Sequence, residues 1–176
     1  MTTKEANMPC VPDVPSPRTI LDLGAYDGVY SKPFVRENDT WILVDNKQWI
    51  KYGWGEPNKP ANAMYVISDI MDYDKPADIV ICSNVLYHVT NPYSLLKHLY
   101  KLTNKILYLK TYFNKEGADW TYYGKNHPQS THTTTSETIY WRPTIKALIR
   151  ECESLGFKIV ETLYHEKLLA TLVCIK

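Results

Sequence analysis

Apolar residues fall in short unbroken runs along this chain instead of alternating with polar ones. The runs are TILDL at 19–23, WILVD at 41–45, AMYVIS at 63–68, DIVIC at 78–82 and KILYLKTY at 105–112. A run that is apolar on both sides of the chain predicts a strand buried on both faces, as in a parallel sheet. Leu95, Leu96, Leu99 and Leu102 recur at three- and four-residue spacing after Asn91-Pro92, which predicts a helix capped by Asn91 with Pro92 at its first position. Ile145, Leu148, Ile149, Cys152 and Leu155 repeat that period and predict a helix opened by Pro143 and ended by Gly156. Two weaker helical stretches are expected, one capped by Ser31 and running through Pro33, Phe34 and Val35 to about Asn38, the other NKQWIKYGW, ending at Gly53 or Gly55. Lys158 to Tyr164 and Leu168 to Ile175 read as two strands joined tightly around His165 to Lys167, hence antiparallel neighbours.

Two segments break the pattern. Residues 1–17 carry Pro12, Pro15 and Pro17 and predict a flexible N-terminal arm. Residues 113–141 have no apolar period but are dense in Tyr, Trp, His and Thr, which predicts a functional insertion acting as a lid. The remainder, 18–176, reads as a single domain. Its element order predicts an α/β fold, a doubly wound Rossmann-like and mostly parallel seven-stranded sheet with an antiparallel C-terminal hairpin.

Composition narrows the picture. With 176 residues and 44% hydrophobic content, the chain can bury one sizeable core. A net charge of +1 supplies no global field toward nucleic acid, although a local basic patch stays open. The four cysteines form no CxxC pair, and three lie within apolar runs, so they are expected to be reduced core residues of a cytoplasmic protein. No apolar run approaches the ~20 residues of a membrane span. No His, Cys or carboxylate cluster has metal-ligand spacing, so no metal is expected. Oligomeric state is not legible.

The chemistry concentrates in DLGAYDG, where Gly24 and Gly28 allow close backbone approach at the mouth of the turn after the first strand. Acids follow the next two strands, Asp45 and Asp69. A dinucleotide-dependent oxidoreductase would share the glycine turn and the first acid. The second acid and the antiparallel end depart from that pattern.

Taken together, DLGAYDG at 22–28, VD at 44–45, SDI at 68–70, DIVICSNVLYHVTNP at 78–92 and ESLGFKIVE at 153–161 resemble the class I S-adenosylmethionine-dependent methyltransferases. Within that superfamily, VLYHVTNPYSLLKHLYKL and YWRPTIKALIRECESLGF are most similar to the branch containing the tRNA wobble-uridine carboxymethyltransferases. The resemblance implies S-adenosyl-L-methionine as cofactor. Asp22, Gly24, Ala25, Tyr26, Asp27 and Gly28 would wrap its methionine and ribose portion, and Asp45 with Asn46 would meet the ribose hydroxyls. Asp69 and Ile70 would flank adenine, with Ser83 and Asn84 beside the sulfur. Tyr26 departs from the family's Gly-x-Gly-x-Gly turn.

Beyond the fourth strand, His88 and Tyr87 are the catalytic candidates. His88 would orient the acceptor or take its proton, or else pack against the lid; Tyr87 would be a pocket wall or a core aromatic. Lys110, Tyr123, His132, Trp141 and Arg142 are the candidate acceptor contacts. The expected activity is methyl transfer to a small metabolite or an RNA nucleoside. Two alternatives stay open: another outcome from the same cofactor, such as carboxymethyl transfer or cofactor cleavage, or a noncatalytic binding module on the same fold.

Overall fold

In the computed structural model, which describes residues 12–46, 62–123, 140–165 and 168–176, each predicted apolar run becomes a strand. The strands are β1 (Thr19–Leu23), β2 (Thr40–Asp45), β3 (Ala63–Ile67), β4 (Ala77–Ser83) and β5 (Thr103–Tyr112), with β8 (Lys158–His165) and β9 (Leu169–Ile175) at the C-terminus. They form one seven-stranded sheet in the order β3-β2-β1-β4-β5-β9-β8. The first five pair in parallel, and β9 runs antiparallel between β5 and β8. The fold is therefore the mostly parallel Rossmann-like sheet with a reversed C-terminal strand that the pattern predicts.

The two α-helices among the described residues, α1 (Pro92–Leu102) and α2 (Ile145–Ser154), lie on one face of the sheet. Their Leu95, Leu96, Leu99, Leu102, Leu148 and Cys152 pack on Leu21, Leu23, Val80, Cys82, Leu107 and Leu109. Among the described residues the opposite face carries no α-helix. Its Ile20, Trp41, Leu43, Ile79, Ile81, Ile106 and Tyr108 are closed instead by Val14, Ala25 and Phe34. Val14 is buried, so the described end of the expected arm joins this core.

Three expectations are corrected. The helix predicted from Ser31 to about Asn38 is a single 3₁₀ turn, Lys32–Phe34. The Ser31 hydroxyl does not cap it, because it donates to the Gly28 carbonyl at 3.2 Å and accepts from Trp41 Nε1 at 3.0 Å. Pro143 does not open α2. It ends strand β7 (Tyr140–Pro143), and its carbonyl accepts from the Asn114 amide at 2.8 Å. Thr144 is the cap, its hydroxyl accepting from the Ala147 amide at 3.2 Å, a role a proline side chain cannot fill. Finally, the stretch 113–141 is not wholly irregular, since β6 (Trp120–Tyr123) pairs antiparallel with β7 in a two-stranded ribbon. The expected helix beyond Asn46 and the middle of the lid lie outside the described residues.

α1 starts as predicted, with Asn91 Oδ1 accepting from the Ser94 amide at 3.1 Å. At the entry to β1, burial pushes the Asp39 carboxyl up, but bonds from the Arg18 guanidinium, the Arg36 and Arg18 amides and the Ser16 hydroxyl outweigh it and hold the pKa at about 2. That pair anchors β1 to the turn before β2, setting the two strands whose far ends build the site.

Candidate active site

The turn after β1 hangs on the end of β2. The Gly24 and Ala25 amides both donate to the Val44 carbonyl, at 2.9 and 3.1 Å. Gly24 has φ +79°, and a Cβ placed on it would lie 2.2 Å from Val85 Cγ2, in the segment after β4. Tyr26 adopts φ +50°, so the left-handed geometry survives where a glycine is commoner, at a cost of about 1–2 kcal/mol. Its amide is held by Asp45 Oδ2 at 2.8 Å, while much of the Tyr26 side chain stays exposed. Gly28, φ +73°, leaves no room for a Cβ between Leu43 and Trp41. Asp27 folds locally, its Oδ1 accepting from the Val29 amide at 3.1 Å.

Asp45 is 5% exposed, and its other oxygen accepts from the Asn46 amide at 2.7 Å. Burial raises its pKa and the two amide bonds oppose the rise. Each carboxylate oxygen keeps a second lone pair for a ligand hydroxyl. Asp22, one residue inside the end of β1, is fully buried in register with Leu43 and Ile81, and its Oδ2 has no hydrogen-bond partner among the described residues. Burial pushes its pKa up to about 7 despite the neighbouring Ser31 hydroxyl, and the charges of Asp45 and Asp27 add to the rise.

Asp69 is exposed just beyond β3, its Oδ1 accepting from the Met71 amide at 2.8 Å. Ile70 is half-buried, and its carbonyl accepts from His98 Nε2 of α1 at 2.9 Å. At the end of β4, Asn84 takes φ +62° and donates its amide to the Lys110 carbonyl at 2.9 Å. Ser83 Oγ and Asn84 Oδ1 are buried without a partner among the described residues.

The acceptor candidates separate into groups. Tyr87 sits in a 3₁₀ turn, Leu86–His88, and is buried edge-on against Tyr112 at 5.0 Å between ring centroids. The Arg142 guanidinium of β7 lies 5.1 Å over that same Tyr112 ring. This stack joins the turn after β4, the end of β5 and the ribbon. His88 is exposed, its ring 4.1 Å from that of Tyr87. Trp141 is half-buried against Tyr122, and its indole N–H is buried without a partner among the described residues. Tyr123 pairs with Tyr140 within the ribbon. His132 lies outside the described residues.

Lys110 lies two residues before Tyr112 on β5, in register with Ser83 of β4 and Thr171 of β9. Thr171, His165 and Tyr30 lie around it and no spacing signals them: strand register brings Thr171 and His165, and the segment after β1 brings Tyr30. Among the described residues no group of three or more His, Cys, Asp and Glu is set to hold a metal ion. No helix among them is long and apolar enough to cross a membrane.

A glycine-bearing turn after β1, a buried acid ending β2, and polar atoms ending β4 without a partner among the described residues lie at one edge of a sheet with the strand order of the class I S-adenosylmethionine-dependent methyltransferases. The residues fit that cofactor: Asp45 offers buried acceptors for a diol, and Ser83 Oγ and Asn84 Oδ1 are buried polar atoms without a partner among the described residues.

The chain belongs to the methyltransferase domain family, which it matches over residues 6–162. It is 30% identical over 103 residues to the tRNA U34 carboxymethyltransferase of Campylobacter jejuni, a match covering 57% of this chain and 34% of the relative. The chain thus spans about a third of the curated relatives it matches. Among solved structures, an S-adenosylmethionine-dependent methyltransferase from Mesorhizobium loti superposes with a TM-score of 0.69 at 12% identity, covering 94% of both chains. The 1,6-didemethyltoxoflavin-N1-methyltransferase of Burkholderia thailandensis, crystallised with its acceptor and S-adenosylhomocysteine, gives 0.64 at 16% identity, covering 91% of this chain and 71% of that one. At these identities the solved structures speak for the fold alone.

Proposed function

We propose that this methyltransferase acts on a small metabolite or an RNA nucleoside held between the turn after β4, the end of β5 and the β6–β7 ribbon. The observation that carries the reading is the pair of buried polar atoms on Ser83 and Asn84 that have no partner among the described residues, at the end of β4. When bound, S-adenosylmethionine supplies an electrophilic methyl group on a sulfonium. Asp45 accepts from the ribose hydroxyls, the backbone of Gly24 to Gly28 flanks the ribose and methionine portion, and Asp69 with Ile70 borders adenine. Ser83 and Asn84 would lie beside the sulfur. Catalysis in this reading is chiefly alignment and exclusion of water.

Tyr87 acts as a wall, since its ring is packed against Tyr112, while the exposed His88 is the group that orients the acceptor or takes its proton. The ribbon forms the base of a lid over the acceptor, with the Trp141 indole N–H as an available donor. A single domain from residue 18 onward and a cytoplasmic location belong to the same reading. Cys82, Cys152 and Cys174, free and buried, support that location.

A second reading, carboxymethyl transfer to tRNA, is favoured by the similarity to the Campylobacter enzymes. One assay tests both: the purified chain is incubated with methyl-labelled S-adenosylmethionine and either bulk tRNA or a metabolite extract, and the product masses are read. A methylated metabolite or nucleoside supports the first reading. Carboxymethylated nucleoside, formed when a carboxylated sulfonium donor replaces S-adenosylmethionine, supports the second. Folded protein that binds S-adenosylhomocysteine yet modifies nothing in either mixture counts against both.

A further inference from the structure

We infer that Lys110 anchors an anion subsite beside the methyl-transfer centre, and that the acceptor therefore carries a carboxylate or a phosphate. This deepens, and rests on, the acceptor position proposed above.

Lys110 is half-buried in β5. Ion pairs among the described residues engage Arg18, Lys105 and Arg150, and none engages Lys110. Its ammonium lies over the ring of Tyr30, 4.5 Å from Nζ to the centroid. Burial lowers its pKa. A cation drawn partly out of water against an aromatic face is a group prepared for a counter-charge.

The neighbours are donors rather than acids. Strand register sets Ser83 on one side of Lys110 and Thr171 on the other, so the three side chains share one face and one level of the sheet. Ser83 Oγ is buried without a partner among the described residues. Thr171 Oγ1 lies 2.8 Å from His165 Nε2, and burial, then the charge of Lys110, lower the pKa of that histidine. The face is the one that no described helix covers; Tyr30 and Phe34 of the segment after β1 lie over it, Phe34 on Tyr108 at 4.5 Å. The subsite also adjoins the proposed chemistry, because Ser83 ends β4 and the Asn84 amide is bonded to the Lys110 carbonyl. An ammonium flanked by hydroxyls, with no carboxylate paired to it among the described residues, matches the oxygens of an anionic group.

The test follows the backbone amide resonances of Ser83, Lys110 and Thr171 while inorganic phosphate or acetate is titrated at constant ionic strength. Saturable shifts are expected with one of the two anions, weakened roughly tenfold or more in Lys110→Gln, kept in Lys110→Arg and untouched in Lys105→Gln. Ser83→Ala, which leaves the lysine in place, is expected to weaken the same binding a few-fold. Response to phosphate alone assigns a phosphorylated acceptor, and response to acetate alone a carboxylic one. Silence toward both anions, or equal binding in wild type and Lys110→Gln, overturns the subsite. A parallel titration with S-adenosylhomocysteine keeps the two claims apart: nucleoside binding with silent anions removes the subsite only, and anion binding without nucleoside binding removes the proposed function only.

Discussion

Replacing Gly24 by alanine probes the joint between the two loops that frame the cofactor edge. The new Cβ would stand 2.2 Å from Val85 Cγ2, whereas carbon atoms rest at about 3.5–4.0 Å. The turn after β4 must therefore retreat by roughly 1.5 Å or the turn after β1 must open, an overpacking that costs about 1–3 kcal/mol. The backbone adds its own penalty, because at φ +79° an L-residue is about 1–2 kcal/mol worse than glycine. The expected loss is then about 2–5 kcal/mol, read as a shift in the urea midpoint with an unchanged slope. The double variant Gly24→Ala/Val85→Ala should regain the steric part and keep the backbone part, giving a coupling of about 1–3 kcal/mol in a double-mutant cycle. Calorimetry on the same proteins should show weaker S-adenosylhomocysteine binding, since both loops have moved. A Gly24→Ala protein within ~0.5 kcal/mol of wild type, or a cycle with no coupling, would refute this geometry.

Two further outcomes are expected. Asp45→Ala removes an acceptor that holds the Tyr26 and Asn46 amides, and should weaken S-adenosylhomocysteine binding by about 1.5–3 kcal/mol, or roughly 10- to 150-fold, in a titration. Asp22 has a folded pKa of about 7 against an ordinary 3.8, so the native state holds its proton over that interval while the unfolded chain does not. Stability should therefore fall as pH rises from about 4 to about 7, by ~4 kcal/mol for this group, and stay low above it. Asp22→Asn should remove that slope in denaturation curves taken across the range, and parallel curves for the two proteins would contradict the burial argument.

The sheet was legible because its central strands are buried on both faces, so TILDL, WILVD and ADIVICS carry the signal in composition alone. α1 was legible because Asn91-Pro92 states both its cap and its first turn. The start of α2 was misplaced because Pro143 suits a first helical position, while the neighbouring threonine, able to accept from the Ala147 amide, takes the cap. The turn at Lys32–Phe34 was overcalled as a helix because Ser31 looks like a cap in sequence, yet its hydroxyl bonds to Trp41 and Gly28 across the fold. The ribbon was hidden because WTYY and YWRP are too short to show a period, although their aromatic and β-branched content favours strands. At the site, Gly24, Gly28, Asp45 and Asp69 stood out by following strands. The company of Lys110 did not, because Ser83, Thr171 and His165 meet it only through register between strands distant in sequence.

The central claim is that the edge formed by the turn after β1, Asp45 and the end of β4 holds S-adenosylmethionine. Titration calorimetry of the wild-type chain with S-adenosylhomocysteine tests it most directly. The account predicts saturable binding at one site per chain, weakened in Asp45→Ala. Folded wild-type protein that gives no binding heat across several temperatures, and no change in melting temperature with the nucleoside in excess, would contradict it.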